Sequence, residues 1–293
     1  MTEPIGLAPP PPLGASALPA GTYDGVSVFV TGAGTGLGKA IASEFARLGA
    51  SIVIASRKPE HLEVGRVAIE AIGASVLTVE CDIRDADAIG AAFDAATAEF
   101  GLPRVLVNNA AANFPVPAED TSPNAWRTVV DITLNGTFLC CREFGRRHLG
   151  AGTRGSIVNV GASYAWTGGP GFAHSAAAKA GVKNLTETLA VEWGPYGIQV
   201  NGLVPGLVPH EDMTADIQAN LKTLDDKGDR QPAMRVGRPY ELGWAATFLA
   251  SPYGAFISGH TLVVDGANWQ RRTLTNPPVE LVREQMGRDP FEL

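Results

Sequence analysis

The chain has 293 residues, 45% hydrophobic and 18% charged, with a net charge of −7. That is globular rather than disordered composition, and at this length one fold buries roughly three quarters of its unfolded surface without staples. It excludes a clustered basic face for nucleic acid, a disulfide framework built on Cys81, Cys140 and Cys141 alone, and a membrane helix, because no apolar run approaches ~20 residues.

Residues 1–22 read as an arm. The first twenty hold six prolines (Pro4, Pro9, Pro10, Pro11, Pro12 and Pro19) and no basic residue. Neither a secretory signal nor a mitochondrial presequence looks like that, so a cytoplasmic, reducing setting is the expectation. The run Pro9–Pro12 favours polyproline II and cannot enter a packed helix or a central strand. A flexible or surface-lying arm is expected.

From Gly25 onward, short apolar runs alternate with helix-length amphipathic stretches. Strands are expected at Val26–Thr31, Ser51–Ala55, Val76–Cys81, Val105–Val107, Ser156–Val160, Gln199–Val204 and Thr261–Val264. Helices are expected at Lys39–Leu48, Glu60–Ile72, Ala86–Phe100, Pro123–His148 and Ala173–Trp193. Ser122 offers an N-cap to the fourth helix, with Pro123 at its first position. Such alternation predicts an α/β fold: a doubly wound parallel sheet of Rossmann type, covered on both faces, in a single domain over 23–270. Residues 271–293 form a C-terminal extension. The segment from Pro205 to about Pro239 looks least like regular scaffold.

The first strand runs into Thr31-Gly32-Ala33-Gly34-Thr35-Gly36-Leu37-Gly38, which opens a helix. Glycines there let the chain turn sharply and bring a pyrophosphate up to the helix N-terminus, where free amides and the helix dipole favour an anion. Gly32, Thr35, Gly36, Leu37 and Gly38 are therefore candidate cofactor residues. The end of the second strand separates the two nicotinamide dinucleotides: a carboxylate binds the ribose 2′-hydroxyl, a cation accepts a 2′-phosphate. The sequence there is Ser56-Arg57-Lys58, with no acid before Glu60. Arg57 meets phosphate as a planar fork and Lys58 as a point charge, so NADP/NADPH is expected. A solvated surface pair is the alternative.

These motifs, together with Asp82, Asn108-Asn109-Ala110, Lys179 and Asn201…Pro205-Gly206, resemble the short-chain dehydrogenase/reductase family from about Gly25 to Gly266. The resemblance implies that Asp82 lies near adenine, Asn108 and the following alanines near the ribose and Val208 near the nicotinamide carboxamide, with Ile83, Asn109, Ala110, Ala111, Pro205 and Gly206 also among the cofactor-binding residues. It also implies a homotetramer packed through its long helices. At the reacting end the chain departs from the usual pattern. The tyrosine position holds Ser175, the serine position Ala162 and the helix asparagine position Thr133; only Lys179 remains. An aliphatic hydroxyl is far too weak an acid to replace a phenol.

The departures resemble one subgroup, the NADPH-dependent 2,4-dienoyl-CoA reductases. Asn109-Ala110-Ala111-Ala112-Asn113-Phe114 is similar to their NAAGNF segment, with alanine at its glycine. In mitochondrial members a tyrosine fifteen residues before the lysine takes over, with a serine four before it. Here those are Tyr164 and Ser175. His174 resembles peroxisomal members. The resemblance implies that Tyr164, Asn113, Ser175 and Lys179 form the catalytic set, acting on an acyl-CoA thioester. Tyr164 and Asn113 would be neutral donors aimed at a thioester oxygen that gathers charge, Lys179 would hold the nicotinamide ribose, and Ser175 would orient Lys179 or meet the cofactor. A substrate lid is expected over about 207–238, with Met213, Ile217, Leu221, Leu224 and Met234 for an acyl chain. Lys222, Lys227, Arg230 and Arg235 there offer charge for coenzyme A phosphates, diluted by the neighbouring acids. Two other readings stand beside this one: a short-chain enzyme for a different carbonyl or alcohol, and a catalytically silent NADP-binding protein. The five histidines show no metal spacing.

Overall fold

Side chains alternate across a strand, and in this chain both alternating sets are apolar. Val28 and Val30, Ile52 and Ile54, Val105 and Val107, and Val158 and Val160 belong to one core layer. Phe29, Val53, Leu106 and Ile157 belong to the other. Strands with two buried faces can only form a parallel sheet with helices on either side. The computed structural model describes residues 6–210, 231–270 and 282–287, and they form that sheet.

Its seven strands are β1 (Ser27–Thr31), β2 (Ser51–Ser56), β3 (Val76–Glu80), β4 (Val105–Asn108), β5 (Gly155–Val160), β6 (Ile198–Pro205) and β7 (Thr261–Val264). Their order is β3-β2-β1-β4-β5-β6-β7, parallel throughout. The order reverses between β1 and β4, so a crevice opens beyond their C-terminal ends. The helices are α1 (Gly36–Arg47), α2 (Pro59–Glu70), α3 (Ala86–Phe100), α4 (Pro123–Val130), α5 (Gly136–Ala151), the single turn α6 (Tyr164–Thr167), α7 (Ala173–Trp193), α8 (Pro239–Ala250) and α9 (Val282–Gln285). Ile41 and Phe45 of α1 and Leu242 of α8 fill the first layer. Phe93 of α3, Phe144 of α5 and Leu189 of α7 fill the second. Phe29 and Phe93 stack there at 4.5 Å between ring centres.

All seven expected strands are present, with ends within one residue of expectation. Three differences matter. The fourth helix is not uniform: Asp131–Asn135 forms one π-helical turn between α4 and α5. α8 was not foreseen, because its apolar residues give no clean stripe; it starts on Pro239, and Glu241 Oε2 accepts the Arg238 N–H at 2.8 Å. The arm, expected to be flexible or surface-lying, is laid along the domain from Gly6. Leu7 N–H donates to Ala233 O at 3.0 Å, Trp244 Nε1 to Ala15 O at 3.0 Å, and the Tyr23 hydroxyl to Thr247 O at 2.6 Å. Its own prolines cannot donate, so the other residues and the domain supply the hydrogen bonds. Most of the expected lid, 211–230, and most of the C-terminal extension lie outside the described residues. Among the described residues no helix is long and apolar enough to cross a membrane.

Candidate active site

The crevice beyond β1, β2 and β4 is a cleft of about 330 Å³. Ten of the expected cofactor residues line it: Gly32, Thr35, Ser56, Arg57, Lys58, Asp82, Ile83, Asn109, Ala110 and Ala111. Gly34 of the same turn lines it too, as do Ala55, His61, Cys81 and Ile132, to which sequence spacing did not point. Gly36, Leu37 and Gly38 form the first turn of α1. Pro205 ends β6, Gly206 donates its N–H to Val264 O at 2.9 Å, and Val208 is buried beyond it.

The glycine turn is held from behind. Gly32 takes φ +66°, and a Cβ there would lie 3.1 Å from Ala110 Cα. The Asn109 carboxamide donates to Thr31 O at 3.2 Å and to Gly32 O at 3.0 Å. Thr31 Oγ1 in turn accepts the N–H groups of Asn109 and Ala110 at 3.0 and 3.1 Å. Asn109 thus faces the cleft with its backbone while its side chain braces the turn, and Thr31, unforeseen from sequence, is the hub. A Cβ on Gly38 would collide with the Asn109 amide and with Gly32 O. We expect Gly38→Ala to lower stability by about 1–3 kcal/mol and to weaken dinucleotide binding, measured by urea unfolding and by fluorescence titration. An unchanged midpoint would refute the close packing.

At the far end Arg57 is half-exposed and stands 4.0 Å from Asp82. Asp82 is taken by Arg84, whose Nε donates to both carboxylate oxygens at 3.0 and 3.1 Å. Those hydrogen bonds hold the Asp82 carboxyl below its ordinary range. Lys58 has no ion pair among the described residues. The rim therefore presents cationic groups and no unpaired acid. The cleft, its glycine cradle and this rim fit a dinucleotide: the turn would take the pyrophosphate and the cleft the adenosine half.

The reacting end is assembled from three elements. Asn113 sits on the loop after β4, Tyr164 on α6, and Ser175 and Lys179 one turn apart on α7. Asn113 Nδ2 lies 3.4 Å from the Tyr164 hydroxyl, which lies 3.0 Å from Ser175 Oγ. Three of the four candidate residues thus stand in one row, and Lys179 follows one turn further along α7. Ser175 Oγ meets the Tyr164 hydroxyl, a partner that sequence spacing did not point to. Lys179 is buried, donates Nζ to Val160 O, and burial pushes its pKa down to about 8. The ring of Tyr164 lies parallel to Phe172, 6.2 Å away.

Two further residues support the site. Thr133, where the family's helix asparagine would stand, lies in the π-helical turn. Its hydroxyl accepts Ala112 N–H at 3.2 Å and lies 3.4 Å from Ala112 O, pinning the residue before Asn113. π-Helical turns recur at functional sites, but no residue type announces them. His174 Nδ1 accepts the Ser175 N–H at 2.7 Å, and its ring meets Phe114 edge-on at 4.6 Å. Burial lowers its pKa, so a neutral imidazole borders the site.

A Rossmann sheet with a glycine cradle at its switch point, a buried lysine and a tyrosine–serine pair beside it defines a nicotinamide-dependent oxidoreductase. The protein family described as enoyl-(acyl carrier protein) reductase matches over residues 32–267, and the chain belongs to the short-chain dehydrogenase/reductase family. A probable 2,4-dienoyl-CoA reductase, (2E)-enoyl-CoA-producing, of Bacillus subtilis strain 168 is 38% identical over 83% of this chain and 96% of its own. A peroxisomal 2,4-dienoyl-CoA reductase, (3E)-enoyl-CoA-producing, of Pongo abelii is 39% identical over 82% of each. Among solved structures, a short chain dehydrogenase from Bacillus anthracis is 40% identical, with a TM-score of 0.78 over 83% of this chain and 96% of that one.

Proposed function

We propose that the protein is an NADPH-dependent 2,4-dienoyl-CoA reductase in which Tyr164 and Asn113 stabilise a dienolate at the thioester oxygen. The observation that carries the reading is the 3.4 Å approach of the Asn113 amide to the Tyr164 hydroxyl, with Ser175 behind it at 3.0 Å. Reducing a diene conjugated to a thioester differs from reducing a carbonyl, because the negative charge gathers on an oxygen remote from the carbon attacked. A reduced nicotinamide bound in the cleft would supply the hydride for the far end of the diene. The chain's task is to meet the oxygen with donors fixed in advance.

The donor inventory allows this. An asparagine amide carries two N–H groups, and a phenol gives one hydrogen and accepts others. One Asn113 N–H reaches Tyr164, leaving the second for the substrate. If Ser175 donates to the phenol oxygen, the Tyr164 hydrogen is also available for the substrate. Both donors are neutral, so the proton that completes the reaction comes to carbon from water, and the family's usual acidic tyrosine at position 175 is dispensable. Lys179 would bind the nicotinamide ribose. Trp126 on α4 and Phe138 on α5 are 41% and 45% exposed, apolar surface of the kind a neighbouring copy in a homotetramer would cover. A cytoplasmic setting accompanies the proposal.

The deciding assay follows dienoyl-CoA absorbance and cofactor oxidation together, with NADPH and with NADH, against a panel of simple ketones and alcohols. Loss of both signals with NADPH supports the reading. Turnover of the panel alone, or dinucleotide binding with no turnover, rejects it. Arg57→Ala should raise the KM for NADPH roughly 10- to 100-fold, the worth of a charge-assisted hydrogen bond to a phosphate, and move the KM for NADH less than threefold. Equal shifts for both would assign Arg57 to solvent.

A further inference from the structure

The loops that carry Asn113 and Tyr164 meet behind their donors as well as at them. Val116 N–H donates to Gly171 O at 2.8 Å, and α9 lies across that junction. Arg283 of α9 is buried. Its Nε donates to Glu119 Oε1 at 3.0 Å and its Nη2 to Asp120 Oδ1, both on the short turn Ala118–Asp120 that follows Asn113. On the other side, a Cβ on Gly171 would lie 2.6 Å from Met286 Cε and 3.6 Å from Val282 Cγ1. Gly171 adjoins Phe172, whose ring faces Tyr164. One short element therefore grips the Asn113 loop by an ion pair and the Tyr164 loop by apolar contact.

The Arg283 side chain is only 9% exposed while Glu119 and Asp120 keep 49% and 24%, so the pair adds little to the fold as an ion pair and acts by geometry, the buried guanidinium tying two neighbouring carboxylates to α9. Among the described residues, neither Arg283 nor Met286 lines the cofactor cleft. The consequence of loosening α9 falls on the donors, not on dinucleotide binding. We propose that α9 is a clip, with Arg283 and Met286 as positioning residues that set the separation of Asn113 from Tyr164. The activity readout rests on the reductase reading above; the clip itself does not.

The test uses the full chain carrying Arg283→Ala, Arg283→Lys or Met286→Ala, and the Tyr164→Phe background. Arg283→Ala should lower kcat on a medium-chain 2,4-dienoyl-CoA at least tenfold, leave the NADPH Kd within twofold, and speed amide exchange at 113–121 and 168–172 together. Arg283→Lys, which keeps one charge-assisted bond, should recover part of kcat. In the Tyr164→Phe background the Arg283→Ala loss should shrink to less than threefold, because the donor being positioned is already gone. Met286→Ala should act in the same direction, and it carries the test if Arg283→Ala fails to fold. An unchanged kcat, exchange altered in one loop only, or an equal loss in both backgrounds overturns the clip. If the native chain does not reduce the dienoyl-CoA, the reductase reading falls, and exchange at the two loops decides the clip alone.

Discussion

Tyr164→Phe and Asn113→Ala will each lower turnover of a 2,4-dienoyl-CoA by about a hundredfold or more, with NADPH affinity within twofold. The expectation follows from what each change removes. Phenylalanine keeps the ring that lies parallel to Phe172 and deletes only the hydroxyl that meets Asn113 and Ser175. Alanine at 113 deletes an amide on an exposed loop, where packing loss is small. A preorganised donor to a developing oxyanion is worth about 3–4 kcal/mol, equivalent to roughly 10²–10³ in rate. Packing changes of this size on the surface are worth only about 0.5 kcal/mol, so the two causes separate by magnitude. The double variant should lose less than the product of the single losses, because each donor holds the other and the pair acts as a unit. The measurement is kcat and KM for thioester and cofactor in all four proteins. Retained turnover in either single variant removes that donor from the mechanism, and strict multiplicativity removes their contact.

The sheet was legible because its signal is local and doubled: Val28, Val30 and Phe29 are all apolar within one short run, and only a strand covered on both sides explains that. The glycine turn was legible for the same reason, since a strand, a turn and a helix surround it in the order a dinucleotide needs. What the sequence hid are features that depend on partners far along the chain. α8 is defined by packing on α1, where Gly243 approaches Glu44 and Ala40 O, and its own period is weak. The π-helical turn at Thr133 follows from tertiary bonds to Ala112, and Asp-Ile-Thr-Leu-Asn would suit an ordinary helix equally well. Asn109 was read as a cofactor residue because its position is right; that its amide is committed to Thr31 and Gly32 appears only when the two strand ends are side by side. The arm was legible only as two alternatives, flexible or surface-lying. Proline-rich composition argues against packed secondary structure, yet it does not forbid lying against a surface that supplies its own donors, such as Trp244.

Lys179→Met will stabilise the cofactor-free protein at pH 7 while abolishing its catalysis. Lys179 is buried on α7, its Nζ donates to Val160 O, and among the described residues no carboxylate pairs with it. Burial brings its pKa from 10.5 to about 8. In the unfolded chain the group titrates near its ordinary value. Below pH 8 both states are protonated, and the folded state bears the full cost of a desolvated ammonium. Between about 8 and 10.5 the unfolded chain binds more protons, so stability rises with pH; above that range both are neutral and the cost is gone. The gap corresponds to about 3 kcal/mol, an upper figure for what methionine, similar in length and apolar, recovers at pH 7. The gain should shrink toward zero by about pH 10.5, which urea midpoints of the two proteins across pH 7 to 10.5 will show. Turnover should fall at least a hundredfold, the usual consequence of losing a group that holds a reactant in place, and NADPH affinity should fall with it. A destabilised variant, or a stability difference independent of pH, would mean that the ammonium is solvated in the free protein. A fold that tolerates this buried charge at neutral pH accepts lower stability to keep a cation where, on the proposed reading, the cofactor's ribose would bind, the trade expected where a site is built for binding rather than for packing.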